Sequence, residues 1–430
     1  MLAEKLKMNN MIDTKVNASI ITIGDELLIG QTIDTNSAWM GQQLNKAGIW
    51  VKRRVAVGDV WDDIWNALDE ESKHAQLIFI TGGLGPTADD ITKPLLCKYF
   101  GGKLIVDEGA LENVRTIFSK YLNRPLLDSN LRQAEVPDVC TVIQNRRGTA
   151  PGMMFKKDGC IFISMPGVPN EMKGMMEHFV LPQLNTFFKL PAVAHRTLLT
   201  AGIGESFLAE RIKDFEAALP GYIKLAYLPN YGMVRLRLTN TGENEAAIVK
   251  EIEEQFAALQ LLVADVMVAN EDITIEEAVG KLLVAKGRTV TTAESCTGGY
   301  IAHLLTRNAG SSAFYKGGVV SYANEVKEAL LGVQSATLQQ QGAVSEATVK
   351  EMAVGALHTV QADYSIAVSG IMGPLGGSDE KPVGTVWIAV ANKSSVFAKS
   401  YHFRFDRQRN IDMTAINALM MLRKLVVEHE

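Results

Sequence analysis

The segment AESCTGG places the hydroxyl of Ser295 at the end of a strand, just ahead of two glycines and the helical stretch YIAHLLTR. A serine there is presented at a sheet edge, with helix N-terminal N–H groups at hand to stabilise an oxyanion, which suits acyl transfer. It needs a base to take its proton. Of the seven histidines, His303 lies on the following helix, His358 sits in mid-helix, and the others are remote or terminal. SYANEVK supplies the alternative: Tyr322 at a strand end and Lys327 about one helical turn later. A lysine whose pKa is lowered by burial can act as a base, so Ser295, Tyr322 and Lys327 can move protons without a metal.

Taken alone, a strand-end serine before glycines is most often a turn and helix cap. Its joint placement with Tyr322 and Lys327 favours catalysis. Cys296 is a rival nucleophile, but adjacent side chains on a strand point to opposite faces. The Tyr and Lys pair also resembles that of short-chain dehydrogenases, yet the spacing is Y-x4-K and no glycine-rich cofactor loop follows the first strand, which argues against hydride transfer.

A second constellation lies near the N-terminus. TGGLGPTADDIT, residues 81–92, combines glycines that let backbone approach a ligand with Asp89 and Asp90, which could bind a hard cation. GDELLIGQTIDTN adds Gly24, Asp25, Glu26, Asp34 and Asn36, and MPGVPNEM adds Gly167 and Glu171. Thr81, Gly82, Gly83, Gly85, Pro86 and Thr87 complete the expected loop. Converging carboxylates imply a magnesium-like ion bridging phosphates, with Glu26, Asp89, Asp90 and Glu171 as expected ligands, and metal-assisted pyrophosphate cleavage as the chemistry. The competing structural readings are a cap or turn for Asp25 and a helix N-terminus for Glu171. The chain contains no G-x-x-x-x-G-K-[ST], which removes a P-loop NTPase.

The elements that must position these residues alternate short apolar runs with amphipathic stretches, the pattern of α/β sheets. ASIITIG, a strand at 50–55, LIFITGG at 77–83 and CIFISMPG at 160–167 read as strands, with a helix over 36–47 and another from near Asn170. Continuous apolarity marks LIFITGG as a buried parallel strand, and ligands of such sheets sit beyond the carboxyl ends of the strands. Residues 195–265 predict a βαββα module, a spacer or dimerisation unit. Its GIGES segment begins like a dinucleotide fingerprint but has Phe207 where the third glycine would stand. Thr274 and Glu277 form a capping-box pattern before EEAVGKLLVAKG, and TVTTAES, GGVVSY, DYSIAVSG and VGTVWIAVA predict a second layered sheet. The expected class is α/β, two layered domains with largely parallel sheets joined by a small α+β module. The expected divisions are an N-terminal extension at 1–17, then 18–185, 186–268 and 269–430.

With 430 residues, several domains are expected. Apolar residues make up 47 % of the chain, which supports sizeable cores and argues against general disorder. A formal net charge of -5 and the lack of any basic stretch interleaved with aromatics speak against nucleic acid or an acidic membrane as partner. Cys97, Cys140, Cys160 and Cys296 are widely spaced and form no C-x-x-C pair, so a reducing cytoplasm is the expected compartment. The N-terminal stretch lacks the features of a secretory signal, and no apolar run is long enough to span a membrane.

TTAESCTGGYIAHLLT, GSSAFYKGGVVSYANEVKEALLGV, GAVSEATVKEMA and SGIMGPLGGSDEKPVGTVWIA together resemble the C-terminal domain of the competence/damage-inducible protein A family, which includes nicotinamide mononucleotide deamidases. The resemblance implies Ser295 as nucleophile, Lys327 as its base and Tyr322 as proton relay or orienting group, with amides near Thr297 and Gly298 holding the oxyanion. For the nucleotide phosphate, Ser369, Gly370, Gly373, Gly376, Gly377, Thr385, Arg407 and Arg409 are the expected donors. Met372 stands where the family pattern has a small residue, which puts pocket shape in question. The three N-terminal segments, with RRGTAPGM, resemble the molybdopterin-binding-like domain of full-length family members over residues 18–185. That implies an ADP-ribose pyrophosphatase using a divalent metal of the Mg or Co type, accompanied by a monovalent cation, and no cofactor at the amidase site. A pyridine-nucleotide recycling enzyme and homodimer is the expectation. The alternatives are a non-catalytic molybdopterin or nucleotide-binding module at the N-terminus, and a competence or DNA-damage accessory protein acting through protein partners.

Overall fold

Residues 18–23 and 77–81 are apolar or small on both faces, and such strands are stable only when helices cover both sides of the sheet. The computed structural model describes residues 16–428 apart from 88, 123, 124 and 231, and of 121 and 122 only the backbone. The expected extension at 1–17 therefore lies outside the described residues but for its last two. The chain divides into two compact units, one built on residues up to Ala194 with Asn240–Val249, the other on His195–Thr239 and from Lys250 onward.

In the first unit, β1 (Asn17–Ile23), β2 (Trp50–Val57), β3 (Leu77–Thr81), β4 (Thr141–Ile143), β5 (Gly152–Lys157) and β6 (Cys160–Met165) form one sheet in the order β2-β1-β3-β6-β5-β4. The four strands from β2 to β6 are parallel, and β5 and β4 add antiparallel edges. The β5–β6 hairpin was not anticipated, although its Asp158-Gly159 turn, with both φ angles positive, is a standard two-residue signal. One core, with Ile20, Phe79 and Ile163, lies on one face of the sheet; a second, with Ile21, Ile80 and Phe162, lies on the other. Helices α1 (Thr35–Lys46), α2 (Thr92–Tyr99) and α3 (Pro169–Met175) follow β1, β3 and β6.

The second unit begins with the small module. There β7 (Ala192–Ala201), β8 (Lys224–Asn230), β9 (Met233–Gly242) and β10 (Met267–Ala269) pair in the order β8-β9-β7-β10, with α4 (Glu205–Ala218) and α5 (Glu245–Leu262). The expected βαββα order is present, and β10 extends it by one strand. GIGES carries no cofactor turn: α4 starts at Glu205, inside it.

The sheet of the C-terminal portion runs β12 (Tyr315–Val320), β11 (Val290–Glu294), β13 (Tyr364–Gly370), β14 (Thr385–Asn392) and β15 (Val396–His402). The first three are parallel; β14 and β15 are antiparallel additions. Thr274 caps α6 (Ile275–Ala285), accepting from the Glu277 N–H at 3.4 Å. Val290, Ile366 and Val368 face a core shared with α6, α7 (Tyr300–Thr306) and α10 (Arg407–Glu428). Ala293, Ala367, Ala389 and Ala391 face α9 (Glu346–Val360), so the sheet presents small side chains where that helix packs. Among the described residues no helix is long and apolar enough to cross a membrane.

Candidate active site

Parallel pairing of β11 and β12 sets Glu294 opposite Val320, so Ser295 and Ser321 emerge side by side at the carboxyl ends of neighbouring strands. The Ser321 N–H donates to the Glu294 carbonyl at 2.8 Å, and the Ser295 N–H donates to the Val368 carbonyl at 3.1 Å. Gly298 and Gly299 then turn the chain into α7 with φ of 61° and 98°. Two consecutive left-handed residues are cheap only for glycine, which is why TGG follows the serine.

Lys327 lies in α8 (Asn324–Leu331) and is 1 % exposed. Its Nζ donates to the carbonyls of Ser321 at 2.7 Å and Tyr322 at 3.2 Å. Burial holds the amine below the usual lysine range; the nearby Cys296 and Glu325 pull the other way. A neutral amine has two N–H donors, and two carbonyls use them. The lone pair then occupies the remaining tetrahedral direction, where a proton can be accepted. Ser295 is itself buried.

Tyr322 is placed differently from expectation. Its carbonyl anchors Lys327, while its side chain is 66 % exposed. Cys296 packs with Ile301, Val368 and Met372 in the core, and burial pushes its thiol up to about 12, so it is no thiolate.

The helix N-terminus is not free for an oxyanion. The buried Glu294 carboxylate accepts from the Ile301 N–H at 2.9 Å, the Ala302 N–H at 2.8 Å and the Thr297 hydroxyl at 2.7 Å. The Gly298 N–H donates to the Ser295 carbonyl at 3.1 Å. Gly298 is thus removed from the expected oxyanion donors, because its N–H closes the turn. Glu294 was missed in the sequence, although an acid just before the serine of an ESCTGG turn is a cue.

Among the expected phosphate donors, the Ser369 hydroxyl donates to the Ala343 carbonyl at 2.7 Å and is nearly fully buried. It can only accept from a ligand. Gly370 ends β13, and the Thr385 carbonyl accepts from the Ile371 N–H. Arg407 donates to the Gly373 carbonyl at 2.8 Å, tying the start of α10 to the glycine-rich loop. Arg409 lies over the Phe405 ring at 4.2 Å, and Gly376 and Gly377 are exposed. Met372 is buried in the core, and its carbonyl accepts from Asn410 Nδ2 at 3.1 Å.

In the first unit, β3 ends at Thr81. Gly82 has φ 113°, and a Cβ there would stand 2.2 Å from the Ile23 carbonyl oxygen, so only glycine fits. The Asn36 amide donates to Thr81 Oγ1 at 3.3 Å and to the Gly167 carbonyl at 2.7 Å, joining three expected segments. Its Oδ1 is buried without a hydrogen-bond partner. Asp34 caps α1 through the Ser37 N–H, a structural role.

The carboxylates divide into separate groups. The Asp25 N–H donates to the Asp59 carboxylate at 3.2 Å, and the Asp59 N–H to the Asp25 carboxylate at 3.3 Å. Burial raises the Asp59 carboxyl; the Asp25 N–H opposes this, and the charges of Asp25, Glu26 and Asp89 add to the rise. Asp59 was also missed. Asp90 instead staples its own loop, accepting from the N–H groups of Gly85 at 2.8 Å and Thr87 at 2.9 Å and from the Thr87 hydroxyl. Pro86 lies within this stapled turn. Glu171 accepts from Asn145 Nδ2 at 2.6 Å and lies against Gly148, its carboxyl raised by burial. Among the described residues no three His, Cys, Asp or Glu side chains are grouped to hold a metal ion. The expected set of Glu26, Asp89, Asp90 and Glu171 is not gathered as one group here: Asp90 is engaged within its own loop and Glu171 with Asn145. No step through a metal is derived from it.

Three family models match the chain: Probable molybdopterin binding domain over residues 19–186, Damage-inducible protein CinA KH domain over 195–265, and CinA C-terminal domain over 272–426. A CinA-like protein of Cytophaga hutchinsonii is 44 % identical over 97 % of this chain and all of its own length. One from Flavobacterium psychrophilum is 44 % identical over 96 % of this chain and 99 % of its own. The crystal structure of a competence damage-inducible protein A from Klebsiella pneumoniae is 40 % identical, covers 36 % of this chain and 97 % of its own, and has a TM-score of 0.36. With near-complete coverage of full-length relatives and one family model on each of its three segments, the chain belongs to the CinA family.

Proposed function

We propose that the chain is a pyridine-nucleotide recycling enzyme whose C-terminal portion hydrolyses the carboxamide of nicotinamide mononucleotide to a carboxylate and ammonia. The observation that carries this reading is Lys327: a buried amine with both neutral-state donors engaged, beside the strand end that bears Ser295. Lys327 takes the Ser295 proton as the hydroxyl oxygen attacks the carboxamide carbon. The tetrahedral intermediate collapses with the C–N bond breaking, and Lys327 returns the proton to the departing ammonia. Water then repeats the attack on the acyl-serine, releasing the carboxylate. The Thr297 amide is the proposed oxyanion donor, and Tyr322 orients the substrate from the solvent side. Incubating the full chain with nicotinamide mononucleotide and measuring ammonia is the test; activity that survives Ser295→Ala ends the assignment.

For the N-terminal portion the proposed activity is hydrolysis of ADP-ribose to AMP and ribose 5-phosphate. The buried, unpartnered Asn36 Oδ1 among the strand-end loops supports a ligand rich in O–H and N–H donors. Appearance of AMP, with and without added magnesium or cobalt, is the readout. Tight binding without AMP identifies a binding module instead.

A further inference from the structure

We infer that Glu294 is a positioning residue of the deamidase site, its buried carboxylate holding the turn that carries Ser295 in register with Lys327. The inference rests on the deamidase reading above. Glu294 is 1 % exposed and ends β11, directly before the nucleophile. A helix N-terminus is ordinarily satisfied by a Ser, Thr, Asp or Asn side chain at the cap position. Here that position is Gly299, which has no side chain, and the carboxylate reaches forward from before the turn to Ile301 and Ala302. The Thr297 hydroxyl adds a third donor from inside the turn. The middle of the Ser295–Gly299 loop and the helix that follows it are thereby clamped to one carboxylate, and bonds to such a group are short and strong.

The same residue reaches the base. Its carbonyl accepts from the Ser321 N–H, and the Ser321 carbonyl accepts from Lys327 Nζ. A continuous path of hydrogen bonds therefore runs from α7 through Glu294 and Ser321 to the Lys327 amine. Nucleophile and base are held at one distance because both segments are fastened to Glu294. Loosening its carboxylate moves the serine and leaves the amine's burial unchanged.

Glu294→Gln in the full-length protein tests this. The amide keeps one acceptor oxygen but turns an NH2 toward a backbone N–H. We expect kcat to fall about a hundredfold with KM within about threefold of wild type, since misplacing the attacking atom costs rate before binding. The ascending limb of the pH profile stays where it was. Amide hydrogen exchange over 300–303 accelerates. Thr297→Val, which removes one donor and leaves the charge, gives about a tenfold loss of kcat, and it decides the matter if Glu294→Gln does not fold. A kcat within about threefold of wild type, or a rise in KM alone, overturns the positioning role while the deamidase reading stands. If the wild type releases no ammonia, that reading falls and exchange decides the positioning claim: faster exchange in Glu294→Gln upholds the clamp, unchanged exchange overturns it.

Discussion

The two strand-end sites share a backbone plan and differ in electrostatics. In each, a parallel strand runs into a turn with glycines at positive φ, Gly82 and Gly83 after Thr81, and Gly298 and Gly299 after Ser295. At the C-terminal site the ionisable groups are buried and hydrogen-bonded: Glu294 has three donors, and Lys327 has two acceptors. At the N-terminal site Asp25, Glu26 and Asp89 are exposed, while Asp59, Asp90 and Glu171 are partly buried. Burial can shift a lysine toward neutrality and so make a base, whereas exposed carboxylates remain charged and act by attracting cations or donors. One geometry can thus serve nucleophilic or electrostatic chemistry, depending on what the flanking helices cover.

The largest effect expected is at Ser295. Ser295→Ala should lower ammonia release about 10^4-fold or more without altering hydrolysis of ADP-ribose; a parallel loss of both would break the separation of the two sites. Lys327→Met should cost about a hundred- to a thousandfold in kcat. The pH profile gives the sign. Because burial holds the Lys327 amine below the usual lysine range, its neutral form grows in as pH rises, and kcat/KM should climb with a midpoint below that of an exposed lysine. Stability follows the same linkage: between the unfolded and folded pKa values the unfolded chain binds a proton that the native chain does not, so stability falls as pH is lowered across that window. Lys327→Met should remove both slopes, as a pH–rate profile and urea titrations at several pH values would show.

How much of this was legible in the sequence depended on the range of the interaction. LIFITGG and CIFISMPG were readable as buried parallel strands because continuous apolarity is a local property. The strand ends that bear Ser295 and Ser321, and the Lys327 amine bonded to the latter, were readable as one sheet edge because a strand end and the next helical turn lie together. Glu294 was not, since its donors lie on α7 and become reachable only through the left-handed turn at Gly298 and Gly299. Which of the expected metal ligands are already engaged was not legible, for a short-range reason. Asp90 is spent on amides three and five residues before it, the self-capping behaviour of aspartate in turns, and counting carboxylates along a sequence does not reveal which are already engaged.

The comparison can be sharpened from the N-terminal side. Asn36→Leu removes the amide that joins Thr81 to Gly167, together with the unpartnered Oδ1. We expect ADP-ribose affinity, measured by calorimetry, to weaken about tenfold, with ammonia release unchanged.

Asp59→Asn should have the smallest effect and the clearest sign. Burial and the charges of Asp25, Glu26 and Asp89 raise the Asp59 carboxyl, while the Asp25 N–H only partly offsets them. A raised folded-state pKa means that the native chain holds the proton more tightly than the unfolded one, so the ionised group becomes a liability as pH rises through that value. Replacing it by a neutral isostere should stabilise the protein by roughly 0.5 kcal/mol at pH 7, a gain kept small by solvent screening. The gain should vanish below about pH 3, where the wild-type carboxyl is protonated in both states. If urea midpoints showed the same gain at both pH values, the cause would be packing, and the contrast between the open N-terminal site and the buried C-terminal one would lose its electrostatic basis at this residue.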